Sequence, residues 1–554
     1  EETKEKVDLI GAHPGSLSKE HRLRMENHLR EGKMKAIVCL EGNTEILTAQ
    51  GTWKKIKDIA KDQVQSLNPK LRLNTHSIKT HITKENFDSL VKIKTSLGKE
   101  ILATKEHKFL TINSGGILEW KEAQNLCEED FVATTRKYEF QTYSETEMKE
   151  LLFSAYPDKG YVQLEKDFLL DIKNKTIQKY GSLKAYWRQN LSSMGSYSIY
   201  IHGLLGDNLL RIEILKTNIK SLGISQLSLY EAILFTSADK YKTPKLEISK
   251  DFLRLLGMML ADGYLSKSAL CITNRNPKIL AYYKKIIENL SGKKCFETAS
   301  SSGTPVLMWQ SVFLSRFLDS LGFITGRKAR ICRIPEFIYR LSSTDLSAFL
   351  SGYLDGDGFI EIKSGDDRPY SIGYATTSKR MAKDLQKILL REGIVSSLRS
   401  SFEDSTQTLR SGRKIVEYGW FYEVVILDGE HLRRFAEFIC PERENLQRIK
   451  EVINLRGYCN VDIIPNVGKI LREERKIYGS SAYAMSQNGL SDPTKYELGK
   501  RNISRHKLKS LLETYNSKNS LLSSLAQSDI FWERIEFTEI VKPSSFVYNI
   551  EVDV

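Results

Sequence analysis

Two segments, FLRLLGMMLADGYLS and FLSGYLDGDGFIEI, carry one pattern, with their acidic residues about ninety-five positions apart, and this repeat restricts the fold more than any other feature. Small residues stand four apart in each, Gly257 and Ala261 in the first and Gly352 and Gly356 in the second. Residues at that spacing share a helix face, so two such helices can meet backbone to backbone. Each helix is expected to close on Asp-Gly, Asp262-Gly263 and Asp357-Gly358, with glycine in the left-handed conformation that ends helices. A carboxylate there faces the negative end of the helix dipole, and two brought together repel. A divalent cation between them relieves the conflict, which is the logic of a metal-dependent phosphodiesterase centre. Similar units follow the motifs, ITNRNPKILAYYKKII and ATTSKRMAKDLQKILL, so a whole αβ half is repeated.

The paired motif resembles that of the LAGLIDADG (DOD-type) homing endonucleases. The resemblance implies an α/β domain over residues 246–440, built of two pseudo-twofold αββαββα halves whose strands lie in the major groove of double-stranded DNA. It implies Asp262 and Asp357 as catalytic metal ligands, Mg2+ as the cofactor, and a monomer. Lys328, in TGRKARICRIPEF, stands where that family often has a basic residue near the active site, with Arg327 and Arg330 as competitors. The alternative is a degenerate domain that binds DNA without cutting it.

On either side of this α/β region the texture is β. Short alternating strands run from Cys39 with turn signals AQG, NPK, LGK and SGG, and DIFWERIEFTEIVKPSSFVYNIEVDV resumes the pattern. One all-β domain, split by an insertion, accounts for both. Within it CLEGNTEILT (Cys39, Leu40, Thr44, Glu45, Ile46, Leu47) resembles the N-terminal splicing block of inteins. GKEILATKEHKFLTI, with Thr104 and His107, resembles the second block, and FVYNIEVDV the penultimate one. The resemblance implies a horseshoe-like Hint splicing domain over 39–140 and 528–554. Cys39 sulfur would attack the Val38 carbonyl, turning an amide into a thioester, because a thiolate is a good nucleophile. By resemblance His107 protonates the departing nitrogen and Thr104 holds and strains the bond. Two departures stand out. Asn549 occupies a position often held by Asp, and Asn cannot exchange a proton. The terminal block, a His-Asn pair before Cys, Ser or Thr, does not occur before Val554, so the sequence is expected to be truncated at both ends and to form the thioester at most.

The formal charge of +14 points to a polyanionic partner such as nucleic acid. Seven scattered cysteines without CxxC spacing argue against a disulfide framework or a zinc site and fit an intracellular, cytoplasmic setting. No apolar run approaches membrane-spanning length, so no membrane is expected as a partner. Residues 141–245 read as mixed and largely helical, with DNA contact as a guess. KYELGKRNISRHKLKSLL, within 460–515, resembles the later part of a Cro-like helix-turn-helix, which implies phosphate contacts from Lys500, Arg501 and Arg505. VDLIGAHPGSLSKEHRLRMENHLREGKMKAIVC resembles part of the second RecA-like domain of Lhr-type superfamily 2 helicases, so residues 1–38 would be a short α/β fragment of the interrupted host. The complete host would use ATP and nucleic acid, although this sequence has no Gly-Lys-Ser/Thr phosphate loop. A helicase with an unrelated insertion is the remaining alternative. The expected whole is therefore multidomain: a Hint domain split by a LAGLIDADG endonuclease, with a small helical module and the fragment of host.

Overall fold

The computed structural model describes residues 39–224, 233–236, 248–300, 303–362, 370–408, 414–426, 428–440, 447, 449–450, 461–479 and 493–552. The expected helicase fragment, residues 1–38, lies outside them.

Strands from the two ends of the sequence interleave in one ten-stranded sheet. Its order is Gln63–Leu67, Leu73–Glu85, Phe546–Val552, Leu40–Glu41, Glu100–Ala103, Leu90–Thr95, Ile530–Val541, Phe131–Thr135, Lys108–Ile112 and Leu118–Glu122. The late strands are internal to the sheet: Phe546–Val552 sits between Leu73–Glu85 and Leu40–Glu41, and Ile530–Val541 between Leu90–Thr95 and Phe131–Thr135. Without them the early strands fall into separate pieces. Alternation drives the assembly, since every second side chain of a strand reaches the same face. Val91, Ile93, Ala103, Val132 and Ile535 form one buried cluster in this way. A bulge between Ile535 and Phe537 shifts the register midway along the last-but-one strand.

The insert contains the expected duplication. After helix Lys250–Asp262 come strands Gly263–Leu265 and Ala269–Thr273, helix Pro277–Ser291, strands Phe296–Ala299 and Pro305–Gln310, and helix Val312–Ser320. After helix Ser343–Asp357 come strands Gly358–Ile362 and Tyr370–Thr376, helix Lys379–Arg391, strands Ser397–Thr408 and Lys414–Ile426, and helix Gly429–Phe438. Both four-stranded sheets have their strands in the order first, second, fourth, third. The two motif helices, Lys250–Asp262 and Ser343–Asp357, cross at their glycines. A methyl on Gly257 would lie 2.0 Å from the Phe349 carbonyl oxygen, and one on Gly352 would lie 2.0 Å from that of Arg254. Only glycine admits that approach.

Gly263 and Gly358 depart from the expectation. They are extended (φ −117° and −84°), not left-handed, and each opens a strand directly from its helix. Close packing explains them instead, because a methyl would meet the Cys271 oxygen at 2.5 Å or the Leu354 oxygen at 2.4 Å.

Residues 141–224 are largely helical, with helices Glu145–Ala155, Lys166–Tyr180, Leu183–Asn190, Tyr197–Leu205 and Ile212–Leu222 beside a three-stranded sheet. They share one hydrophobic core with the duplicated unit: Tyr156 packs on Phe313 and Phe317 with ring centroids 5.6 and 5.5 Å apart. The later helical module, with helices Gly468–Tyr478 and Arg505–Tyr515, shares its core with the ten-stranded sheet through Ile112, Ile530 and Trp532. The insert also docks on the sheet. The tight turn at Gly98 (φ +81°) brings the Leu97 carbonyl to the Leu398 amide at 3.0 Å, and Gln386 Nε2 donates to the same carbonyl at 3.0 Å. Glu100 meets Lys379 at 2.7 Å across the same seam.

Candidate splice and cleavage sites

Cys39 opens the sheet. Leu40 pairs with Tyr548 on one side and Ala103 on the other, so one step along these ladders sets Cys39 between Asn549 and Thr104. The Cys39 amide donates to Thr104 Oγ1 at 3.1 Å, and the Thr104 amide donates to the Cys39 carbonyl at 3.0 Å. The amide that would become the leaving group is thus gripped by a side-chain hydroxyl. The turn closes when the His107 amide donates to the Thr104 carbonyl at 3.1 Å, and the His107 ring stands edge-on to Phe109 at 5.0 Å. Asn549 is fixed through its Oδ1, which accepts from the Ile550 amide at 2.9 Å.

Cys39 is fully buried beside Leu90 and Val547. Burial pushes its thiol up to about 12, while Lys84 pulls it down and Glu106 pushes it up. The sequence pattern suggests a ready thiolate; the structure holds a neutral thiol, whose proton must leave as the sulfur attacks.

The second centre forms where the motif helices end. A methyl on Gly356 would stand 3.4 Å from the Asp262 carboxyl carbon, which shows how near the second helix passes to the first acid. Asp357 is raised to about 6 by burial and by the Asp262 charge, against the pull of Lys328 and of a hydrogen bond from Tyr353. Asp262 is raised by burial, against a hydrogen bond from Asn274 and the Lys328 charge. Lys328 joins the pair from outside both helices. Its ammonium donates to the Leu260 carbonyl and, at 3.0 Å, to the Ala261 carbonyl, capping the negative end of the first motif helix. Burial lowers its pKa, with both aspartates opposing.

These carboxylates suit a hard divalent cation. Both are oxygen donors, mutually repelling and compensated by a single ammonium, with neither thiolate nor imidazole among them. Among the described residues no three His, Cys, Asp or Glu side chains gather into a preformed cage, so an ion there would complete its shell with other oxygen ligands.

The sequence pattern gives no warning of Asp355, two residues before Asp357. Its buried carboxylate accepts from Arg254 at 3.0 Å and from the Tyr283 hydroxyl at 2.6 Å, joining the two motif helices. The available signal is an asymmetry in the repeat, where Leu260 occupies the matching position.

The three basic residues assigned to phosphate do not act alike. Lys500 and Arg501 are exposed in the turn after Gly499. Arg505 is buried and committed: its guanidinium pairs with Asp462 at 2.9 Å and donates to Ser528 Oγ at 2.9 Å and to the Ile530 carbonyl at 2.6 Å. The expected phosphate contact from Arg505 is therefore corrected. It fastens the helical module to the start of strand Ile530–Val541.

Fold and sites together describe a β-protein interrupted by a duplicated two-acid unit. The family model of the intein splicing domain matches residues 45–554, and the chain belongs to that family. Elongation factor 2 of Methanopyrus kandleri is 23% identical over 90% of this chain and 37% of its own length. The isomerizing glutamine–fructose-6-phosphate aminotransferase of Methanocaldococcus jannaschii is 24% identical over 93% of this chain and 44% of its own. The chain thus spans less than half of these two relatives. Among solved structures, a variant of the Ssp DnaB mini-intein (M86, G-1F mutant) aligns at 24% identity over 19% of this chain and 66% of that one, with a TM-score of 0.17. Mesophilic variants of the homing endonuclease I-DmoI align at 14% identity over 37% of this chain and 100% of theirs, with a TM-score of 0.25.

Proposed function

We propose that this chain combines protein splicing, begun by an N–S acyl shift at Cys39, with site-specific cleavage of double-stranded DNA at Asp262 and Asp357. One observation carries the nested reading: strands on both sides of the insert interleave in a single sheet, with Cys39 beside the last of them. The elongation factor and aminotransferase names share no activity, which suits an element carried within unrelated hosts.

At the splice centre Cys39 sulfur attacks the Val38 carbonyl. Thr104 holds the amide nitrogen, and His107 supplies the proton that lets it leave. Asn549 cannot exchange a proton, so its part is to orient the neighbouring strand. At the cleavage centre Asp262 and Asp357 hold Mg2+, and Lys328 compensates their charge before the ion arrives. When bound, the ion activates water and stabilises the leaving oxygen. Residues 246–440 form the nuclease on this reading, acting as a monomer in a reducing intracellular setting. Lys500 and Arg501 of module 460–515 add phosphate contacts, and residues 141–245 add DNA contact beside the first half. Residues 1–38 belong to an Lhr-type helicase, whose ATP and nucleic-acid partners are those of the complete host.

A thiol such as dithiothreitol tests the acyl shift by releasing a fragment that ends at Val38. Cys39→Ala abolishes the release, and a fragment that persists in that variant overturns the mechanism.

A further inference from the structure

The motif helices bring two matching carboxylates together, but the groups that hold them do not match. Asp262 Oδ2 accepts from Asn274 Nδ2 at 2.7 Å. That amide cannot easily turn over, because Asn274 Oδ1 accepts from the Asn276 amide at 2.8 Å. The Thr273 hydroxyl, one residue earlier, donates to the Asp262 carbonyl.

The ladder that pairs Gly263 with Ile272 recurs in the second half as Gly358 with Tyr374, so the position matching Asn274 is Thr376. Thr376 Oγ1 accepts from the Ser378 amide at 3.2 Å and bonds Tyr353. Tyr353 then bonds Asp357 from one turn earlier on the same helix. In the first motif helix the matching position is Met258, which has no donor to offer. One acid is therefore steered by a strand amide, the other by a buried phenol from its own helix.

A carboxylate turns readily about its last torsion, so a single hydrogen bond sets which oxygen faces the reaction. We propose that Asn274 and Tyr353 are positioning residues, each orienting the acid of one cleavage centre, so that the two DNA strands are cut by inequivalent and separately tunable centres. This rests on the nuclease reading above.

The test uses the full chain, Mg2+ and a supercoiled plasmid carrying the uninterrupted host coding sequence, with each strand end-labelled separately. Outer partners of metal ligands typically contribute about 10- to 100-fold. Asn274→Ala should thus slow one strand by about tenfold or more and leave the other within about twofold, so that nicked circles accumulate. Tyr353→Phe should impose the opposite strand bias. Asn274→Thr, which gives the first half the hydroxyl of the second, should reproduce the Asn274→Ala bias if the alanine variant folds poorly. Equal slowing of both strands, or the same strand slowed by both substitutions, overturns the proposal while the nuclease reading stands. A wild-type chain that cuts neither strand removes the nuclease reading and this proposal with it.

Discussion

The splice centre and the cleavage centre both bury a titratable group and raise its pKa, yet they treat it oppositely. Cys39 is kept neutral in an apolar pocket, and its backbone is held by neutral hydrogen bonds to Thr104. Asp262 and Asp357 are crowded against each other with Lys328 as the compensating ammonium. The first arrangement is complete in itself: a neutral thiol costs little to bury, and attack needs only a proton acceptor and strain. The second is unfinished, because two buried carboxylates sharing one ammonium invite another cation. The difference teaches that one fold can hold a self-contained reaction and a metal-dependent one without either intruding on the other.

The largest expected effect separates the two. Asp262→Asn or Asp357→Asn should lower Mg2+-dependent plasmid cleavage by about a thousandfold or more, since a metal ligand and its charge are both lost. Thiol-induced release at Cys39 in the same proteins should stay within about twofold, read by mass spectrometry of the fragment ending at Val38. If either variant loses both activities while its thermal midpoint is unchanged, the independence of the centres fails.

The next effect is on pH. With the Cys39 thiol raised to about 12, its thiolate fraction should grow about tenfold per pH unit through the neutral range. Release trapped with hydroxylamine should therefore climb from pH 7 to 9 without levelling. A plateau near pH 8 would mean a sulfur already ionised, and the contrast with the carboxylates would collapse.

Much of this contrast is legible in the amino-acid order, and the illegible part has physical reasons. The carboxylate pair and its glycines are visible because a repeat shows twice what a single motif leaves ambiguous. Cys39, Thr104 and His107 are visible because the blocks keep their order. The ties made by residues far apart in sequence are not. Asp355 meets Arg254 and Tyr283 only once the helices cross, and Glu533 is held by Thr134 at 2.7 Å and Lys99 at 2.6 Å only once the split sheet closes. Arg505 reads as an exposed cation in a basic turn. Nothing local announces that Asp462, Ser528 and Ile530 will enclose it.

A smaller effect tests the unfinished centre directly. The folded-state pKa of Asp357, about 6 against an ordinary 3.8, means that the folded protein binds this proton more tightly than the unfolded chain does. The associated stability is present below pH 4 and is lost as pH rises through 6. In metal-free buffer at pH 8, Asp357→Asn should therefore stabilise the protein, by up to about 3 kcal/mol for a shift of about two units. At pH 4 the gain should vanish, and Mg2+ should narrow it at pH 8 by stabilising the wild type alone. Denaturant midpoints at both pH values measure it, and a gain independent of pH would trace the effect to packing.

The smallest effect concerns the self-contained centre. Thr104→Val keeps the shape of the side chain but leaves the Cys39 amide without its hydroxyl acceptor, while Thr104→Ser restores the acceptor. A lost neutral hydrogen bond is worth about 1 kcal/mol, so release at Cys39 in the valine variant should fall about fivefold and recover in the serine variant. Plasmid cleavage should not change in either. If valine slows release and serine does not rescue it, the methyl and not the hydroxyl matters, and the grip on the departing nitrogen lies elsewhere. If valine leaves release unchanged, the bond to Thr104 serves the ladder alone, and the strain that drives the acyl shift must come from the residue before Cys39.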